Sequence, residues 1–159
     1  YVDHAAQVRS LVLHSGEPAR LNQPVVDEAG LVGRVISTAG AYARVQLLTD
    51  RAASLGALLE KAGSQGLLRG GADGLLRLEF VPRQLEVEIG DRVLTAGIDG
   101  VFPPGLPVGA VVGAEPGNEM FQTLQVAPAV DFRQLGLVYL VDWQAPPAAA
   151  LERMGVEGR

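Results

Sequence analysis

"GIDGVFPPGLPVG" occupies Gly97–Gly109, and its reading sets the fold class of the chain. Four glycines and three prolines are interspersed with Val101, Phe102 and Leu106. Glycine reaches positive φ without steric cost, and proline fixes φ and removes a backbone donor, so the stretch is neither a helix nor a central strand. It is a shaped loop. At least one of Gly97, Gly100 and Gly105 is expected to adopt positive φ, and Phe102-Pro103-Pro104 to form a rigid elbow. Val101, Phe102 and Leu106 then present large apolar side chains that either plug a core or face a partner.

Outward from this loop the texture is uniform: apolar runs of four to seven residues, broken by Gly or Pro roughly every eight to twelve positions. That is the pattern of an all-β barrel or sandwich. Strands are predicted over 9–13, 31–37, 43–49, 75–81, 92–96, 108–112, 121–127 and 137–142. In "LLRLEF" (75–80) alternation puts Leu76, Leu78 and Phe80 on one face. "RAASLGALLEKAG" (51–63) is ambiguous: Leu55, Leu58, Leu59 and Ala62 have helical spacing, while Gly56 weakens a helix. "LVGRV" (31–35) is echoed by "PVGAV" (107–111), placing Gly33 and Gly109 76 residues apart. The echo suggests two similar small barrels, divided near residue 80 into 9–80 and 81–142 or interleaved. Residues 1–8 resemble the end of a helical stalk, and the Pro/Ala-rich 143–159 a flexible tail.

The chain of 159 residues suffices for one ordinary domain or two small ones, and 48% apolar content with 19% charged is globular. No apolar run of about 18 residues exists, and no signal-peptide pattern opens the chain. Membrane attachment would therefore need an anchor outside it. The net charge of −5 with scattered arginines excludes a clustered basic face for nucleic acid. The absence of cysteine removes disulfides, thiol nucleophiles and Cys-type zinc sites.

Catalytic constellations fail one by one. The two histidines, His4 and His14, are both N-terminal, and none of Ser10, Ser15, Ser37, Ser54 and Ser64 sits in a nucleophile-elbow frame. His14 and Ser15 are adjacent, which on a strand sends their side chains to opposite faces. Asp27-Glu28 reads as a turn, and Glu86 and Glu88 as a solvated strand face. "GSQGLLRGGADG" (63–74) lacks the strand-to-helix context of a phosphate loop and reads as a hairpin region. No catalytic residue, metal site or cofactor site is assigned.

The ordered string "LNQPVVDEAGLVGRV", "ARVQLLTD", "LEVEIGDRVLTAGIDGVFPPGLPVGAVV" and "FQTLQVAPAVDFRQL" closely resembles the MreC family, the bacterial rod shape-determining proteins, over residues 9–142. The resemblance implies two small six-stranded-type β-barrels, one similar to a chymotrypsin-type barrel without its catalytic apparatus. It implies an extracytoplasmic, periplasmic domain, anchored by one membrane helix and followed by a coiled coil, both preceding this chain. It also implies a non-catalytic scaffold of the cell-wall elongation machinery. The partners implied are the elongation penicillin-binding transpeptidase, MreD, the MreB system and further copies of itself. Against this stand a chymotrypsin-like hydrolase, which the missing Ser/His frame disfavours, and a wall-polysaccharide module, which would want clustered exposed aromatics.

Overall fold

Strand formation follows the period-two burial that the sequence carries. In Tyr42–Leu47 the side chains of Ala43, Val45 and Leu47 are buried, and those of Tyr42 and Arg44 are exposed. The computed structural model describes residues 2–3, 9–147 and 153, and between 9 and 147 it contains strands and one short 3₁₀ turn at Ala72–Gly74. The strands are β1 (Val2–Asp3), β2 (Ser10–His14), β3 (Pro24–Val26), β4 (Leu31–Ala39), β5 (Tyr42–Leu47) and β6 (Ser54–Leu59). They continue as β7 (Gln65–Gly70), β8 (Leu76–Pro82), β9 (Arg92–Thr95), β10 (Pro107–Glu115), β11 (Phe121–Pro128) and β12 (Tyr139–Leu140).

These strands make two antiparallel assemblies. An open six-stranded sheet runs β1-β2-β5-β4-β3-β12, and a closed barrel runs β10-β11-β8-β7-β6-β9. The chain therefore builds most of the sheet, leaves it after Leu47, completes the barrel over residues 54–128, and returns for β12. A division near residue 80 is corrected, because β8 spans 76–82 inside the barrel. Val2–Asp3 pairs with Ser10 and Leu11 as a strand, so the helical reading fails at those two residues; residues 1 and 4–8 lie outside the described ones. So do 148–152 and 154–159 of the Pro/Ala-rich tail.

The ambiguous 51–63 segment is strand, not helix. Leu55, Ala57 and Leu59 all enter the barrel core, a period of two that outweighs the helical spacing. Helix propensity is a weak prior that tertiary burial overrides. Gln65–Gly70, within the stretch read as a hairpin region, is a strand that pairs with both β6 and β8.

The sequence echo is a repeated structural unit. Val32 in β4 and Val108 in β10 are extra residues in the pairing with β3 and β9. Ile36 and Val112 are extra in the pairing with β5 and β11. Equivalent hydrogen bonds recur in the two units, Leu48 N–H to Val32 O (3.0 Å) and Ala129 N–H to Val108 O (2.9 Å). Val35 N–H to Gln23 O and Val111 N–H to Asp91 O (3.0 and 2.9 Å) match as well. At Gly33 a Cβ would fall on the carbonyl oxygen of Gln46, and at Gly109 on that of Ala127, so both sites require glycine for close strand approach. The 17 residues from Gly33 to Asp50, against 22 from Gly109 to Asp131, reflect the longer second hairpin.

Two apolar clusters hold the fold. Leu55, Leu59, Leu68, Leu76, Leu78 and Leu124 fill the barrel. Val25, Val32, Val35, Val45 and Leu47 form the sheet's core, closed by Val130 and the partly buried Phe132 and Leu135 from the returning segment. Leu31 and Leu48 come from the sheet region yet sit in the barrel cluster, so the two cores are joined. Each such leucine contributes roughly 1.5–3 kcal/mol of burial.

Candidate functional site: the glycine–proline loop and the barrel exterior

The loop after β9 hangs on Thr95. Its side chain is buried, its hydroxyl donates to the carbonyl of Pro103 (2.6 Å), and the same oxygen accepts from Leu106 N–H (2.9 Å). The Thr95 backbone pairs with Leu106 O through its N–H and with Gly105 N–H through its carbonyl, both at 2.9 Å. Asp99 closes the other half. One carboxylate oxygen accepts from Val101 and Phe102 N–H (3.1 and 3.2 Å), and the second accepts from Gly56 N–H in β6 (3.3 Å). Gly97, Gly100 and Gly105 take φ of 75°, 72° and 86°. A Cβ on Gly97 would stand 2.8 Å from that of Pro104, so this turn needs glycine for both its φ and its space.

This geometry separates the three apolar loop residues. Phe102 is 3% exposed and belongs to the barrel core, so of its two readings the structure takes the plug, and Phe102 has no surface to offer a partner. Val101 and Leu106 are half-buried against that core and keep part of their surface. Pro104 and Gly105 are exposed at the elbow, and Pro103 is partly covered.

Phe80 departs from its expected face. Glu79 and Phe80 together oppose Thr123, because the register with β11 shifts between Gln122 and Leu124. This bulge turns Phe80 out of the barrel at φ 64° and 54% exposure, while Val81 takes the inward place. Its ring meets Phe121 edge to face, with centroids 5.8 Å apart, and Met120 nearby is 70% exposed. The adjacent apolar pair Phe80-Val81 was the available signal, since consecutive residues of a regular strand cannot both point inward.

The remaining polar groups are spread out. His14 ends β2 and stacks edge to face on Tyr42, with centroids 5.1 Å apart. The Ser15 hydroxyl donates to the Glu17 carbonyl. His4 lies outside the described residues. Glu86 and Glu88 are exposed while Leu85 and Val87 are half-buried. Glu88 pairs with Lys61 at 3.0 Å, and that hydrogen bond and charge, with Asp91 adding to them, raise the Lys61 ammonium above its ordinary value. On the barrel exterior Arg77 pairs with Glu115 (2.9 Å) and Arg69 with Glu79 (3.3 Å).

Comparison with known proteins fits this architecture. Residues 3–142 match the family model described as "Rod shape-determining protein MreC, barrel core". The cell shape-determining protein MreC of Haemophilus influenzae is 31% identical over 137 residues, covering 84% of this chain and 39% of that protein. The chain thus spans about two-fifths of that relative's length. The crystal structure of MreC from Pseudomonas aeruginosa superposes with a TM-score of 0.82 at 27% identity, covering 88% of this chain and 93% of that one. A complex between Penicillin-Binding Protein (PBP2) and MreC from Helicobacter pylori contains the same fold, with a TM-score of 0.58 at 20% identity over 76% of this chain and 75% of that one. With its closed barrel, its joined open sheet and a match from residue 3 to 142, the chain belongs to the MreC family of rod shape-determining proteins.

Proposed function

We propose that this chain is a non-catalytic scaffold piece of the cell-wall elongation machinery, working on the periplasmic face of the inner membrane. In this reading it docks a penicillin-binding transpeptidase, associates weakly with further copies of itself, and connects to MreD and the MreB system. The match of residues 3–142 to the family's barrel core carries the reading. The Helicobacter pylori complex supports the transpeptidase as partner. The barrel interior agrees, since it is filled by aliphatic side chains and Phe102 and leaves recognition to the surface.

Val101 and Leu106 are the loop residues proposed to contribute to partner contact. The test is binding of the purified chain to the periplasmic part of its own bacterium's elongation transpeptidase, read by biolayer interferometry. Saturable binding is expected, and its absence overturns the scaffold reading. Leu106→Asp is expected to weaken that binding while the thermal midpoint stays near wild type. A fall of many degrees instead makes Leu106 a core residue.

A further inference from the structure

We propose that the cavity between the ends of the two repeated units binds a short peptide carrying both a free carboxylate and an ammonium group. This stands independently of the scaffold reading above.

The cavity has a volume of about 620 Å³, within the range of roughly 300–1,000 Å³ usual for small-molecule sites. Leu47 and Thr49 line it from the first unit, and Pro128 and Asp131 from the second. In the first unit one carboxylate oxygen of Asp50 accepts from Ala52 N–H (2.7 Å), and the other accepts from Arg9 N–H (2.8 Å). Leu47 N–H then donates to the Arg9 carbonyl (3.0 Å), so the chain at Arg9 is gripped twice. Asp131 repeats the turn of Asp50, one oxygen accepting from Arg133 N–H (3.0 Å). The grip is not repeated. Pro128 stands where the first unit has Leu47 and has no N–H to give. The second carboxylate oxygen of Asp131 accepts no hydrogen bond among the described residues.

Thr49 adds an independent sign of a ligand. It lines the cavity at 3% exposure, and its hydroxyl donates to no acceptor among the described residues. A buried donor left unmatched is costly, and a bound acceptor removes that cost.

The charges lining the cavity state the class of occupant: Arg9 and Arg133 against Asp73 and Asp131. Arg133 reaches Asp131 only at 3.6 Å, with both side chains exposed, so that contact is weak and yields easily. Arg9 and Asp73 have no ion-pair partner among the described residues, although Asp73 also lines a neighbouring cavity that holds Arg51. A phosphate-rich ligand would meet two aspartates here, and a bare cation two guanidinium groups. A molecule with one charge of each sign satisfies both pairs. Arg9 and the Thr49 hydroxyl receive its carboxylate, Asp131 and Asp73 its ammonium, and Phe132 covers the chain between them.

The test titrates the dipeptide lysyl-alanine into the full chain, followed by amide chemical-shift changes, with the L,L and D,D forms run separately. Saturable shifts around Thr49 and Asp131 are expected from at least one form. Binding of the D,D form supports the proposal with cell-wall peptides as the source, and binding of the L,L form alone supports it with a protein terminus as the source. Amidating the carboxylate or acetylating the amines is expected to weaken binding about tenfold or more. Asp131→Asn keeps the oxygen that accepts from Arg133 N–H, and Arg9→Gln keeps the N–H held by Asp50. Both are therefore expected to melt near wild type with affinity about tenfold lower. Thr49→Val removes only the hydroxyl and is expected to weaken binding several-fold at an unchanged thermal midpoint. The proposal is overturned by the absence of saturable shifts with either form. It is equally overturned by wild-type affinity in all three variants, or by blocked peptides that bind as well as the free one.

Discussion

Gly97 and Gly105 look alike in sequence and differ in space. Both sit at positive φ, yet a Cβ at Gly105 meets nothing within 4 Å, whereas one at Gly97 meets Pro104. Alanine at Gly105 is expected to cost about 1 kcal/mol from backbone strain, and alanine at Gly97 about 2 kcal/mol or more because the proline elbow must also move. Urea midpoints of the two variants check the order. Lys61 supplies a pH test. Its folded-state pKa is raised by Glu88, so any stabilisation from the pair is present below the ordinary value near 10.5 and disappears as pH rises through the raised one. Lys61→Met should therefore lower the thermal midpoint slightly at pH 8, with the difference closing at strongly alkaline pH; the effect is small because both groups are exposed. At this scale the turn glycines were legible, since only glycine rests easily at those angles. The orientation of Phe102 was not, because a loop's sequence does not tell which way its side chains face. Phe80 misled for a different reason: alternation holds only until a bulge shifts it.

Strands declared themselves wherever one face is buried and the other wet. β5 and the first half of β8 are the clearest cases, with Arg44, Arg77 and Glu79 alternating against buried aliphatics. β6 was obscure because Leu58 is partly buried on the opposite side to Leu59, so apolar residues occupy both faces and period two is masked. β3 and β7 are short or glycine-flanked and carry few alternations to read. The repeated unit β3-β4-β5 and β9-β10-β11 makes a prediction of its own. Gly33→Ala and Gly109→Ala each force a methyl onto a paired strand's carbonyl and should each destabilise by about 2–3 kcal/mol. Gly56→Ala meets only the side chain of Ile98, which is exposed and free to swing, so it should cost less than about 1 kcal/mol. Chemical denaturation of the three variants gives the comparison, and equal losses would remove the argument for close strand approach at the repeated glycine.

For the molecule as a whole, Leu31 and Leu48 tie the sheet to the barrel core. The buried carboxylate of Asp50 adds to this at the crossover, accepting from Arg9 and Ala52 N–H at 2.8 and 2.7 Å. One cooperative transition is therefore expected, with Trp143 fluorescence and calorimetry giving the same midpoint. Two separated midpoints would show that the shared leucines do not couple the units. The all-β class and the internal echo were readable from sequence, whereas the division of strands between sheet and barrel was not. Pairing between β3 and β12 joins residues more than a hundred positions apart, and no local pattern announces such a contact.

The insertion of the barrel between β5 and β12 also sets how the molecule bears load. β1 and β12 lie at opposite edges of the open sheet, and the barrel strands all fall between them in the chain. Tension applied between the two ends is taken first across the hydrogen-bonded ladder β2-β5-β4-β3-β12, with the barrel hanging as a closed side loop off the line of force. The edge pairings are two residues long and peel one bond at a time, so the sheet yields before the barrel is stretched. The surface carried by the barrel would thus keep its shape while the chain that holds it is under strain.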